Sequence, residues 1–160
     1  MNNFLIKVYQ SLFSIICIFS LLIGLVTIDV SPATAENLSN NLLKQPPIEI
    51  TVSLGNAANE LKFEPNRLEF AVGKRYNLKL NNPSSQKHYF TAKDFADAIW
   101  TQKVEVGNVE IKGNIRELEL KPGGETEWVF IPIKPGKYPL RCIIPGHTEA
   151  GMKGEIVIRY

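Results

Sequence analysis

The chain has 160 residues, 18 of them basic and 16 acidic, for a formal charge of +2. That balance, with no basic block anywhere, argues against nucleic acid as a partner, and the length suits one domain with a real core. Side chains with imidazole or sulfur donors are scarce: two histidines, two cysteines and two methionines.

Residues 1–35 read as an export signal. Lys7 supplies a lone positive charge, Leu12 to Val26 is almost wholly apolar, and Ala33-Thr34-Ala35 offers a small-x-small cleavage site. The alternative is a retained membrane anchor, because the apolar run extends to Val30 with Asp29 near its end. A lipid anchor on Cys17 is disfavoured, since bulky Ile16 precedes it where a small residue is wanted. Export leads to a periplasm or, in a photosynthetic cell, a thylakoid lumen. Residues 36–47 are polar and Asn-rich, end in Pro46-Pro47, and read as a linker or disordered terminus.

From Ile48 the hydrophobic period is two, and residues 48–160 form the folded domain on this reading. Ile48, Ile50, Val52 and Leu54 alternate with other residues, as do Tyr76, Leu78 and Leu80. Thr126, Trp128 and Phe130 repeat the pattern, followed by Tyr138, Leu140 and Cys142, then Ile156 and Ile158. Alternation of this kind predicts strands with one buried face. Turn signals at Gly73-Lys74, Asn82-Pro83-Ser84, Lys121 to Gly124 and Lys134 to Gly136 separate them at short intervals. Many short strands punctuated by Gly and Pro predict an all-β, antiparallel sandwich. Ala92 to Val104 is the exception: Phe95, Ala98 and Ile99 have helical spacing, and Thr91 or Asp94 could cap a short helix or irregular excursion. Trp100 and Trp128 are expected to fill the core, where buried aromatics dominate sandwich packing.

Cys142, His147 and Met152 follow one another with four residues between each pair. Loss of the first 35 residues removes Cys17 and Met1, so His88, Cys142, His147 and Met152 are the whole set of soft and imidazole donors that remains. An exported protein normally pairs its cysteines, and a leftover thiol requires an explanation; metal ligation supplies one. Two imidazoles, a thiolate and a thioether are the ligand set of a blue-copper site, with Met on a long axial bond. Taken singly, each has a bland alternative: a small buried Cys, a Met filling the core, a hydrogen-bonded His88 beside Tyr89 and Phe90. Cys142 ends a predicted strand, Pro145-Gly146 reverses the chain, and His147 and Met152 precede the next strand, so one loop can deliver three ligands. His88 lies far upstream, after the Asn82-Pro83-Ser84 turn, and is expected to complete the site from the facing sheet.

The segment KPGKYPLRCIIPGHTEAGMKGEIVI closely resembles the cupredoxin signature, in which a G-x-Y strand leads to Cys, a Gly-His pair, a Gly-Met pair and a last strand. Its ligand spacings match those of rusticyanin, within a family that also includes plastocyanin and azurin. The upstream stretch FEPNRLEFAVGKRYNLKLNNPSSQKHYF is similar to the family's first half, with His88 as the remote ligand. The resemblance implies a Greek-key β-sandwich and one-electron carriage. Two departures stand out. Plastocyanins have a shorter Cys-to-His gap and an Asn directly after the first His, where this chain has Tyr89. The hydrogen bond that such an Asn supplies has to come from elsewhere, with Asn81 and Asn82 the candidates. Thr91 to Arg116 is also longer than in the smallest members.

The leading functional expectation is an exported type 1 copper protein, a monomer, passing single electrons between membrane-bound redox partners. Pro145, Gly146, Ala150 and Gly151 would form a flat apolar rim around His147, suited to transient docking. The alternative is copper handling, as a chaperone or an accessory to a metal transporter or oxidase; one mature Met is few for that role. An enzyme needs a second copper centre built from further histidines, and none is left over. Zinc has no use for a thioether.

Overall fold

Side chains that alternate in the sequence alternate in burial over much of the chain, although Ile48 at the start of the first strand is exposed and Trp128 to Pro132 is buried on both faces. The computed structural model describes residues 42–160, so the export signal and the first half of the linker lie outside the described residues. Eleven strands follow in order: β1 (Ile48–Leu54), β2 (Phe63–Glu64), β3 (Arg67–Ala71), β4 (Tyr76–Asn81), β5 (His88–Thr91), β6 (Ile99–Val106), β7 (Val109–Ile111), β8 (Glu117–Leu120), β9 (Glu125–Pro132), β10 (Gly136–Arg141) and β11 (Lys153–Arg159). One helical turn, α1 (Lys93–Ala96), sits between β5 and β6. Tyr76, Leu78 and Leu80 of β4 point inward, as do Trp128 and Phe130 of β9, Tyr138 and Leu140 of β10, and Ile156 and Ile158 of β11.

These faces close a sandwich. A six-stranded sheet in the order β2-β1-β4-β9-β6-β7 packs on a five-stranded sheet in the order β3-β11-β10-β5-β8. Most ladders are antiparallel as expected, but β1 pairs with β4 in parallel, and so does β3 with β11. The chain changes sheets between β2 and β3, so these neighbours are not joined by tight hairpins, which would have required antiparallel pairing. Aromatic rings fill the space between the layers. Phe130 meets Phe70, Phe95 and Trp128 edge-on, with centroids 5.1, 5.4 and 5.8 Å apart; each such pair adds about 0.5–1.5 kcal/mol beyond its buried area.

The segment after β5 contains the expected short helix but returns to strand sooner than Val104. Only Lys93–Ala96 is helical; its N-cap is Ala92, with no side-chain cap, and Thr91 Oγ1 donates instead to Glu117. Ile99 onward is strand β6, paired with β9. A bulge between Thr101 and Lys103 shifts the register there, which breaks the period of two and hides the strand from pattern reading. Trp128 fills the core at 1% exposure, with its indole N–H donating to Thr101 Oγ1 at 3.1 Å. Trp100 does not: β6 turns Ile99 inward and leaves Trp100 45% exposed. Upstream of β1, the Gln45 carbonyl accepts from the Arg75 guanidinium at 2.9 Å, tying the end of the linker to the sheet. No helix among the described residues is long and apolar enough to cross a membrane.

Candidate metal centre

Strands β4, β5, β9, β10 and β11 all present their loops at one end of the sandwich, since Asn81 pairs with Glu125, His88 with Leu120 and Arg141 with Lys153. Cys142 follows β10 directly and Met152 precedes β11, both fully buried. The loop between them is closed by its own backbone. Cys142 N–H donates to the Met152 carbonyl at 3.1 Å, Met152 N–H to the His147 carbonyl at 2.9 Å, and His147 N–H to the Ile144 carbonyl at 3.0 Å. Thr148 Oγ1 adds a bond to the Cys142 carbonyl at 2.6 Å. The three loop residues are thereby held in one stiff unit.

His88 opens β5, and β5 lies beside β10 in the same sheet. The expectation that it arrives from the facing sheet is therefore corrected: strand order, which alternation does not reveal, makes Arg141 and Thr91 cross-strand partners. The lead-in to His88 is shaped by Asn82, buried at the end of β4. Its amide nitrogen donates to the Gln86 and Leu120 carbonyls at 2.7 and 2.9 Å, and its oxygen accepts from Ser84 N–H and Oγ at 3.1 and 2.8 Å.

Ligand atoms of His88, Cys142 and His147 lie within 4.8 Å of one another, the only such group of His, Cys or acidic residues among the described residues. Cys142 Sγ is 3.6 Å from His147 Nδ1; donors bound at about 2.0–2.3 Å around one ion sit roughly this far apart. The two imidazole centroids are 5.2 Å apart. His88 is 1% exposed, and neither of its ring nitrogens has a hydrogen-bond partner. A buried polar ring without partners is costly, and a metal ion is the partner this ring lacks. Burial, and then the nearby His147, hold the His88 pKa below its ordinary value, so its lone pair is free at neutral pH, as coordination requires. His147 is 9% exposed, and Pro145, Gly146, Ala150 and Gly151 around it face solvent.

The sulfur has a donor that residue-by-residue reading missed. Tyr89 N–H points at Cys142 Sγ across 3.4 Å. Neither Asn81 nor Asn82 takes that part: Asn82 is committed to its own loop, and the donor to the sulfur is the Tyr89 amide. The bond belongs to the main chain, so no residue type at position 89 could have signalled it. A second missed element is the β1–β2 loop. The glycine after β1, Gly55, lies against the His88 ring, and the only hint of it is that β1 ends where the metal-binding loops gather.

The model of the cupredoxin-like domain matches residues 21–158. The chain belongs to the cupredoxin-like family. A curated relative, the copper-resistant cuproprotein CopI of Rubrivivax gelatinosus, is 27% identical over 128 residues, a match covering 79% of this chain and 66% of that protein's length. Among solved structures, the dithionite-reduced auracyanin of Roseiflexus castenholzii superposes with a TM-score of 0.51 at 17% identity, covering 72% of this chain and all of that one. Auracyanin B gives a TM-score of 0.49 at 22% identity, covering 73% of this chain and 93% of that one. The auracyanin of R. castenholzii shares the cupredoxin sandwich. Family and donor chemistry together identify the cofactor as a single type 1 copper ion.

Proposed function

We propose that this cupredoxin is an exported carrier of single electrons, with His88, Cys142 and His147 as the roughly trigonal ligands and Met152 as the axial one. The observation that carries the reading is the convergence of His88, Cys142 and His147 at one end of the sandwich, with Met152 fully buried in the same hydrogen-bonded loop and His147 the most exposed of the four. Copper bound there supplies a one-electron couple, Cu(II)/Cu(I). The residues do the rest. Thiolate and thioether suit the lower valence, imidazole suits both, and a loop stiffened by its own hydrogen bonds gives neither state its free choice of geometry. A donor set that moves little on changing valence exchanges electrons quickly.

Electrons enter and leave on this reading through His147, where the exposed rim of Pro145, Gly146, Ala150 and Gly151 offers a small apolar surface for transient docking. The partners are membrane-bound redox proteins, met by a monomer in a periplasm or thylakoid lumen that residues 1–35 direct it to. Enzymatic use of copper is disfavoured because both histidines of the chain already stand in the one cluster. The second reading, copper handling, is favoured by the likeness to a relative named for copper resistance.

A Cu(II) titration of the purified protein, followed by visible absorption and electron paramagnetic resonance, separates the two. An intense thiolate-to-copper band with narrow hyperfine splitting, bleached reversibly by ascorbate, is expected of a carrier. Tight Cu(I) binding without a stable Cu(II) form would transfer the protein to copper handling.

A further inference from the structure

We propose that Gly55 is a positioning residue for the metal centre, and that the loop from Gly55 to Lys62 is the wall that holds His88 in register. The inference rests on the copper reading and adds to it an element that contributes no ligand.

One His88 nitrogen is left for the protein when the other binds metal, yet neither has a hydrogen-bond partner. A ligating histidine is usually oriented by a bond from its second nitrogen, so contact has to set this ring's rotation instead. Gly55 supplies the contact from the opposite sheet. A methyl group there would lie 3.1 Å from His88 Nε2, 3.2 Å from Ser84 Cβ and 3.3 Å from the Glu60 carbonyl oxygen. Optimal separations of non-bonded heavy atoms are about 3.5–4.0 Å, so the neighbours would have to give by a few tenths of an ångström. Ser84 is fixed by Asn82, and the Glu60 oxygen belongs to a braced backbone. The imidazole, without hydrogen bonds of its own, is the neighbour left to move.

The loop owes its stiffness to asparagines. Asn56 Oδ1 accepts from Ala58 and Glu60 N–H at 3.0 and 3.1 Å, while Gly55 N–H reaches the Lys62 carbonyl at 2.8 Å. Asn59, in a left-handed conformation with φ 60°, then reaches across: its Oδ1 accepts from Ser85 N–H and Oγ at 2.8 and 2.9 Å. Ser85 belongs to the lead-in to His88. The loop therefore grips both the ring and the backbone that carries it.

The test compares Gly55→Ala with Gly73→Ala in the full chain. Both glycines have a left-handed backbone, φ +77° and +74°, but a methyl at Gly73 meets nothing within 4 Å. The pair therefore shares the backbone strain and differs in the contacts with His88, Ser84 and Glu60. Gly55→Ala is expected to alter the thiolate-to-copper absorption and the copper hyperfine splitting, and to weaken Co(II) binding by about tenfold, the lower end for loss of support to a metal ligand. Gly73→Ala should match the unaltered protein in all three. Asn59→Gly keeps the left-handed turn and removes the latch, and it decides the matter alone if Gly55→Ala does not fold; its spectra and Co(II) affinity should change in the same direction. Spectra and Co(II) affinities like those of Gly73→Ala in both variants would overturn the proposal. If the unaltered protein itself showed no thiolate-to-copper band, the copper reading would fail, and the Co(II) affinities would still report whether Gly55 positions His88.

Discussion

The main-chain N–H of Tyr89 is aimed at the sulfur of Cys142, 3.4 Å away, from the strand next to the one that Cys142 follows. A hydrogen bond to the sulfur withdraws electron density and favours the lower valence of the metal. Because the donor is backbone, Tyr89→Phe should leave the reduction potential unchanged. Tyr89→Pro, which has no N–H, should lower it by about 40 mV, the one-electron equivalent of a hydrogen bond of about 1 kcal/mol. Voltammetry of the two variants decides; equal potentials would mean that the bond does not tune the centre.

Cys142→Ser should abolish the coloured Cu(II) form and leave the sandwich folded. The side chain is fully buried but small, and a hydroxyl can still accept from Tyr89 N–H, so the expected loss of stability is about 1–2 kcal/mol. Visible absorption with far-ultraviolet circular dichroism checks both halves. Retention of the band would remove the thiolate from the ligand set.

Met152→Leu should keep the colour and raise the potential. Leucine fills a fully buried position with similar volume, and an apolar axial position disfavours Cu(II). The expected rise is about 60 mV, a tenfold change in the relative affinity for the two valence states. An unchanged potential would deny Met152 its axial role.

The two histidines should respond differently to deletion. His147 lies at the surface at 9% exposure, so His147→Gly opens the centre to external imidazole, and added imidazole should restore the spectrum. His88 is enclosed at 1%, and His88→Gly should resist rescue at the same imidazole concentration. Equal rescue of both would contradict the surface position of His147.

Asn82→Ala should destabilise the metal-free protein by about 1–3 kcal/mol, because it strands the buried Leu120 carbonyl and releases Ser84. Thermal unfolding in the presence of a chelator measures this without interference from the metal. A change within about 0.5 kcal/mol, as at an ordinary surface site, would show that the loop before His88 keeps its shape unaided.

Local features of the site and fold were legible, and pairwise ones were not. Cys142, His147 and Met152 could be placed together because one short loop spans them, and Tyr138, Leu140 and Cys142 could be turned inward by alternation alone. His88 was recognisable as a donor by its chemistry, yet its sheet follows from β5 lying beside β10, a matter of strand order. Strand β6 was concealed by its bulge, and with it the outward direction of Trp100. Gly55 and the Tyr89 amide carry no side-chain signature, one because its part depends on having no side chain and the other because its donor is common to nearly every residue.

Strands β5, β10 and β11 are adjacent members of one sheet; His88, Cys142 and Met152 sit at their ends, and His147 lies in the loop that joins β10 to β11. Slippage of one layer of the sandwich over the other therefore carries the donors along as a group and leaves their mutual separations alone. What such a slip does disturb is the seat of His88 against Gly55, which belongs to the other layer. Compression or heating that shears the layers would thus reach the metal through the Gly55 loop, by its contact with the ring and its Asn59 bonds to Ser85, and the colour of the protein would register that displacement.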